Sequence, residues 1–169
     1  MNYTTFATLA SISTALLVGC AGSRVEAECP EPARTAQTAV RLDMTKTLDG
    51  VTDMETAVTA ATEALAAQGF GVVSDMDVQA VMKDKLGEEM RPYRILGACN
   101  PGLAFRALEH DEAAGLLLPC KAVIYQTDDG SFTVTLGRPT AVFSLLGDPA
   151  TDPLAEEVEK KMTAVLDSL

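Results

Sequence analysis

Two thiols carry most of the chemical potential of this chain. The segment ILGACNPGLAF (Ile95 to Phe105) ends an apolar run at Cys99 and continues through Asn100 and Pro101. The segment LLLPC (Leu116 to Cys120) leads to a second Pro-adjacent cysteine. Asn100 followed by Pro101 is a helix start, because an Asn side chain caps free backbone N–H groups and Pro tolerates the first helical position. A thiol beside free N–H groups can be stabilised as a thiolate, and a small anion can settle there. Arg91, Arg94, Arg106 and Lys121 place four cations around these motifs in an otherwise acidic chain. The candidate pocket is therefore Arg94, Cys99, Asn100, Pro101, Pro119 and Cys120, open to a small anion or polar ligand. Three fates compete for the thiols: packed structural residues, a disulfide, or a ligand-binding or reactive site. Arg94 has its own alternative, a cross-strand pair with Asp75 or Asp77.

The signatures of several chemistries are missing. The chain has no Gly-rich phosphate loop, HExxH, CxxC or GxSxG. Its one histidine, His110, lies among Glu109, Asp111 and Glu112, a solvated acidic run without the spacing of a metal site. No metal and no cofactor is expected. The net charge of −11 argues against nucleic acid, which needs Lys and Arg on one face.

The elements that must hold these residues can be read in turn. Val40, Leu42 and Met44 alternate as a half-buried strand. Thr52 to Glu55 opens a helix with Met54, Val58, Ala61 and Leu65 on one face, and Gly69 stops it. Phe70 to Val73 is a strand. Asp77 caps a short helix with Val78, Val81, Met82 and Leu86 inward, closed by Gly87. Pro92 to Cys99 is a third strand, and a helix follows from Pro101 to about Glu109. A strand from Cys120 to Tyr125, the turn Asp128-Asp129-Gly130 and alternating Phe132, Val134 and Leu136 form a hairpin. Asp152-Pro153 opens a closing helix with Leu154, Val158, Met162, Val165 and Leu169 as its buried stripe. The hairpin breaks strict βαβ alternation. The expected fold is α+β, a small antiparallel or mixed sheet with helices packed on one face of a single domain. The other sheet face is left to line a groove or meet a second subunit.

The N-terminus speaks of location. Residues 1–19 contain no charged side chain, and Phe6 to Val18 is too short to span a bilayer. It has the length of a signal-peptide core. The tetrapeptide Leu17-Val18-Gly19-Cys20 resembles the bacterial lipoprotein box, although the usual Lys or Arg is missing from the first residues. The resemblance implies a signal peptide over 1–19 and lipidation at Cys20. The small, polar, Pro-containing run behind the lipid reads as a flexible tether over 20–38 with Cys29 in it, ahead of a domain over 39–169. The lipoprotein resemblance also implies membrane attachment in the cell envelope. Ala21, rather than Asp, after Cys20 favours the outer membrane, facing the periplasm. Cys29, Cys99 and Cys120 would then be an odd number of thiols in an oxidising compartment.

The run from Gly69 to Tyr125 resembles the domain of unknown function 302 family. The G-F block, the K-L-G block, RPYRILGACNP and LLPC appear in that order. The resemblance covers about Ala39 to Leu169 and implies a small α+β fold, often as a homodimer, with no established activity. It places Cys99, Asn100, Pro101, Pro119 and Cys120 on the family's motif positions. Relatives without a lipoprotein signal make a structural disulfide a poor general explanation for the two motif cysteines. Function is expected to be a membrane-anchored ligand-binding or protein-interaction module. The alternative is a thiol-dependent redox or transfer activity using Cys99 and Cys120.

Overall fold

The structure, a computed structural model, describes residues 41–169. The signal segment, Cys20, the tether, Cys29 and the first residues of the expected domain lie outside the described residues. Five strands form one antiparallel sheet: β1 (Asp43–Leu48), β2 (Gly71–Asp77), β3 (Tyr93–Cys99), β4 (Cys120–Gln126) and β5 (Phe132–Gly137), in the order β1-β5-β4-β3-β2. Five helices accompany it: α1 (Met54–Ala67), α2 (Val78–Leu86), α3 (Pro101–His110), α4 (Pro139–Phe143) and α5 (Asp152–Asp167). This is the expected α+β class, and the sheet is wholly antiparallel.

Side chains alternate across the sheet, so register decides which residues share a face. Met44, Leu136, Ala122 and Leu96 sit side by side across four strands and are buried. Leu48, Phe132, Val134, Ile124 and Ala98 share that face. The buried residues of α1, α3 and α5 close over it in one hydrophobic core. The opposite face carries Thr45 against Thr135, Thr47 against Thr133, and Tyr93 stacked on Tyr125 with ring centroids 5.8 Å apart.

The local start and stop signals act as their chemistry requires. Asp53, not Thr52, is the N-cap of α1, its carboxylate accepting from the Thr56 N–H at 2.9 Å. Asp77 caps α2 through the Ala80 N–H, and Gly87 closes it at φ +72°, a conformation that favours glycine. The buried stripe of α5 is as expected through Val165, with Leu169 only partly buried.

Two expectations are corrected. Leu42 precedes β1 and is exposed, because the strand begins one residue later and the core face starts at Met44. The apolar residues of α2 do not point into a core: no residue of α2 is buried, and Leu86 is 68% exposed. That helix follows the edge strand β2, where no further layer among the described residues covers it. β2 itself continues to Asp77 rather than stopping at Val73.

Candidate functional site

The loop from β3 into α3 is built by Asn100. Its side-chain oxygen accepts the Leu103 N–H at 3.2 Å, and its backbone carbonyl accepts the Ala104 N–H at 2.9 Å. Pro101 has no N–H to offer. The first turn of α3 is thus largely satisfied by its own chain, which leaves little for an anion or thiolate. A helix start was legible here; a free anion site does not follow from it.

Cys120 opens β4 on the core face, directly across from Ala98. It packs against the core and borders a cavity of about 20 Å³ together with Phe70, Leu103, Phe143 and Val158. Cys99 and Asn100 border the same cavity. The walls are almost wholly apolar. Burial pushes the Cys120 thiol above its ordinary pKa, the nearby Cys99 adds to the effect, and Lys121 works against it. At neutral pH Cys120 is therefore a protonated, soft and weakly nucleophilic wall.

Cys99 and Cys120 are not bonded. Their positions explain why. Ala98 pairs with Cys120, so Cys99 falls one residue out of phase and belongs to the opposite side of the pleat. Cys120 joins the core and Cys99 does not. Gly97 belongs to Cys99's side as well. An ideal Cβ at Gly97 would stand 2.6 Å from Pro119 Cγ and closer still to Ser74 Oγ. Pro119 thus roofs Gly97 on the far face, and the Leu118–Pro119 peptide is cis.

A second apolar cavity, about 80 Å³, lies beside the first. Cys120 and Phe143 border both, and Leu117, Val142 and Pro139 complete much of the second. The PTAVF helix α4 supplies this wall and was not singled out from sequence. Pro139 at its first turn is the same signal as Pro101 and could have revealed it. A roomier depression, about 340 Å³, lies elsewhere, between α1 and the C-terminus, lined by Leu48, Ala64 and the acidic Asp49 and Glu63. It brings together no residues with the chemistry of a site.

The structure does not bring Arg94 to this place. Arg94 stands at the opposite end of β3 from Cys99, about 17 Å away along the strand. Its guanidinium pairs with Asp75 through two bonds and with Glu55 at 3.0 Å, and Asp77 lies at 3.9 Å. The cross-strand alternative is the one realised. The other cations are also engaged: Arg91 with Asp128 at 2.6 Å, Arg106 with Glu157 at 2.7 Å, and Lys121 Nζ donating to the Pro119 carbonyl at 2.6 Å. His110 pairs with Asp148 at 2.7 Å. Among the described residues no cluster of three metal-ligating side chains occurs. Of the six candidate pocket residues, Cys99, Asn100 and Cys120 share the cavity. Pro101 holds the helix start, Pro119 roofs Gly97, and Arg94 belongs to an ion-pair network.

Comparison with known proteins agrees with this architecture. A crystal structure of an uncharacterised conserved DUF302 protein from Bacillus stearothermophilus matches with a TM-score of 0.70 and 31% identity, covering 75% of this chain and 97% of that one. No curated protein matches the chain. The model of the domain of unknown function DUF302 matches residues 44–169, the whole sheet with its helices from the second strand position onward. The chain belongs to the DUF302 family.

Proposed function

We propose that this protein is a cell-envelope lipoprotein whose folded domain binds a small ligand at the cavity bordered by Cys99, Asn100 and Cys120. The observation that carries the reading is the apolar cavity at the meeting point of the two motif cysteines. Apolar walls with few polar groups are the usual lining of a small-molecule site, although at about 20 Å³ the cavity as it stands has room for about one water and must widen to take a ligand. Membrane attachment rests on the Leu17-Val18-Gly19-Cys20 box, and an outer-membrane position on Ala21. A homodimer, expected from the family resemblance, would use the Thr- and Tyr-bearing sheet face opposite the core.

The thiol-chemistry alternative has less support. Cys120 lacks an activating base: His110, the one histidine, is held by Asp148. Its pKa is raised rather than lowered, and Cys99 is out of phase with it.

Fatty-acid labelling tests the anchor. Label should enter the native chain and be lost in Cys20→Ser, and label retained in that variant refutes lipidation at Cys20. Native mass spectrometry of the protein purified from cells tests the binding role. A reproducible bound mass that disappears in Cys120→Phe supports it, whereas a clean apo mass with a Cys120 inert to alkylation until denaturation refutes it.

A further inference from the structure

We propose that the two cavities at Cys120 are one chamber for a small, uncharged, apolar molecule, parted by the ring of Phe143. The inference rests on the reading that the Cys120 cavity is a ligand site. Cys120 and Phe143 are the two residues that border both voids. Beyond them the walls are mainly apolar: Phe70, Leu103 and Val158 on one side, with Asn100 as the polar neighbour, and Leu117 and Val142 on the other. Lys121, the one charged residue in either lining, already donates to the Pro119 carbonyl, and its position in β4 is out of phase with Cys120. A charged or strongly hydrogen-bonding ligand would lose its hydration here with little beyond the Asn100 amide to replace it. An apolar molecule gives up no such bonds, and the polarisable sulfur of Cys120 suits it.

Size points to the partition. The voids together amount to about 100 Å³. An apolar cavity of roughly 150 Å³ in another protein stays dry and takes benzene or xenon. Neither half reaches that size and their sum falls short of it, so the space now filled by the Phe143 ring must supply the remainder. Phe143 is the last residue of the five-residue α4, which runs directly into a short 3-10 turn over Ser144–Leu146, and its side chain is buried. The other end of α4 is pinned, with Arg138 bound to Glu159 at 2.5 Å and the Thr140 N–H donating to Glu159 at 3.1 Å. A swing about the side-chain torsions of Phe143 need not break those bonds.

Benzene is the probe. The protein is the full chain carrying Cys20→Ser and Cys29→Ser, so that Cys99 and Cys120 are the thiols present. Two quantities are followed: the rate at which Cys120 is alkylated under native conditions, resolved from Cys99 by peptide mass, and the rise in unfolding temperature with benzene. Saturating benzene should slow Cys120 alkylation and raise the unfolding temperature. Phe143→Ala should tighten benzene binding roughly tenfold, equivalent to about 1.4 kcal/mol. Phe143→Leu, which keeps more of the core, should move affinity in the same direction and serves if the alanine variant does not fold. Equal benzene affinity in wild type and Phe143→Leu overturns the partition. A Cys120 that reacts in the native state at a rate benzene does not change overturns the apolar ligand and leaves the site reading standing. A Cys120 that reacts only after denaturation, with no benzene effect on unfolding, overturns both.

Discussion

Gly97→Ala is the substitution that most sharply probes how the LLPC segment is held. Gly97 is buried in β3, and an added methyl would lie 2.6 Å from Pro119 Cγ and closer to Ser74 Oγ. The Ser74 hydroxyl can rotate away, while the Pro119 ring cannot. Forcing a methyl into a packed place costs about 1–3 kcal/mol. The shorter list of unfolded conformations open to alanine returns about 0.4–1 kcal/mol. The net expectation is a loss of about 1–2 kcal/mol. With a urea m-value of about 2 kcal/mol per molar, the unfolding midpoint should fall by roughly 0.5–1 M at constant m. Adding Ser74→Gly should recover only part of the loss, because Pro119 remains. Pushing Pro119 also moves its neighbour Cys120, so native alkylation of Cys120 should accelerate. An unchanged or higher midpoint would refute the close approach of Pro119 to Gly97, and full rescue by Ser74→Gly would assign the obstacle to the wrong residue.

Two further outcomes follow from the ion pairs and thiols. Arg94 is 16% exposed and binds Asp75 and Glu55, so Arg94→Met should lower stability by about 2 kcal/mol at pH 7. Arg94 holds the Asp75 carboxyl below its usual pKa. The stabilisation is therefore complete above about pH 4, the unfolded-state value, and fades as pH falls through the lower folded value. Unfolding curves of wild type and variant should converge in acid, and a pH-independent gap would contradict the pairing. Cys120→Ala should cost on the order of 1 kcal/mol by enlarging a cavity, and Cys99→Ala less; calorimetry that ranks them the other way would reverse their assigned environments.

Much of the fold was legible because its signals are local. Asn100-Pro101, Asp77, Gly69 and Gly87 act through their own backbone neighbours, and the structure uses each as written. The candidate site was legible only in part. Cys99 and Cys120 do meet one cavity, yet their relation depends on the pairing of Ala98 with Cys120, a register fixed by the whole sheet. A shift of one residue would have put both thiols on one face. Arg94 reads as a site cation from its nearness in sequence to Cys99, but an extended strand carries it to the far end of the sheet. The apolar pattern of α2 is real, though a pattern cannot say whether another layer exists to cover it. Phe143 escaped notice because its importance comes from two voids, which no sequence spacing records.

The account holds that Cys99 and Cys120 serve a binding cavity as separate thiols, not as a dithiol couple. Mild oxidation with diamide of the native full chain, with Cys20 and Cys29 replaced by serine, tests this most directly. Peptide mass mapping should find Cys99 and Cys120 still individually free while the fold persists, with a bond between them formed only on denaturation. Rapid and complete Cys99–Cys120 disulfide formation in the native protein would contradict it.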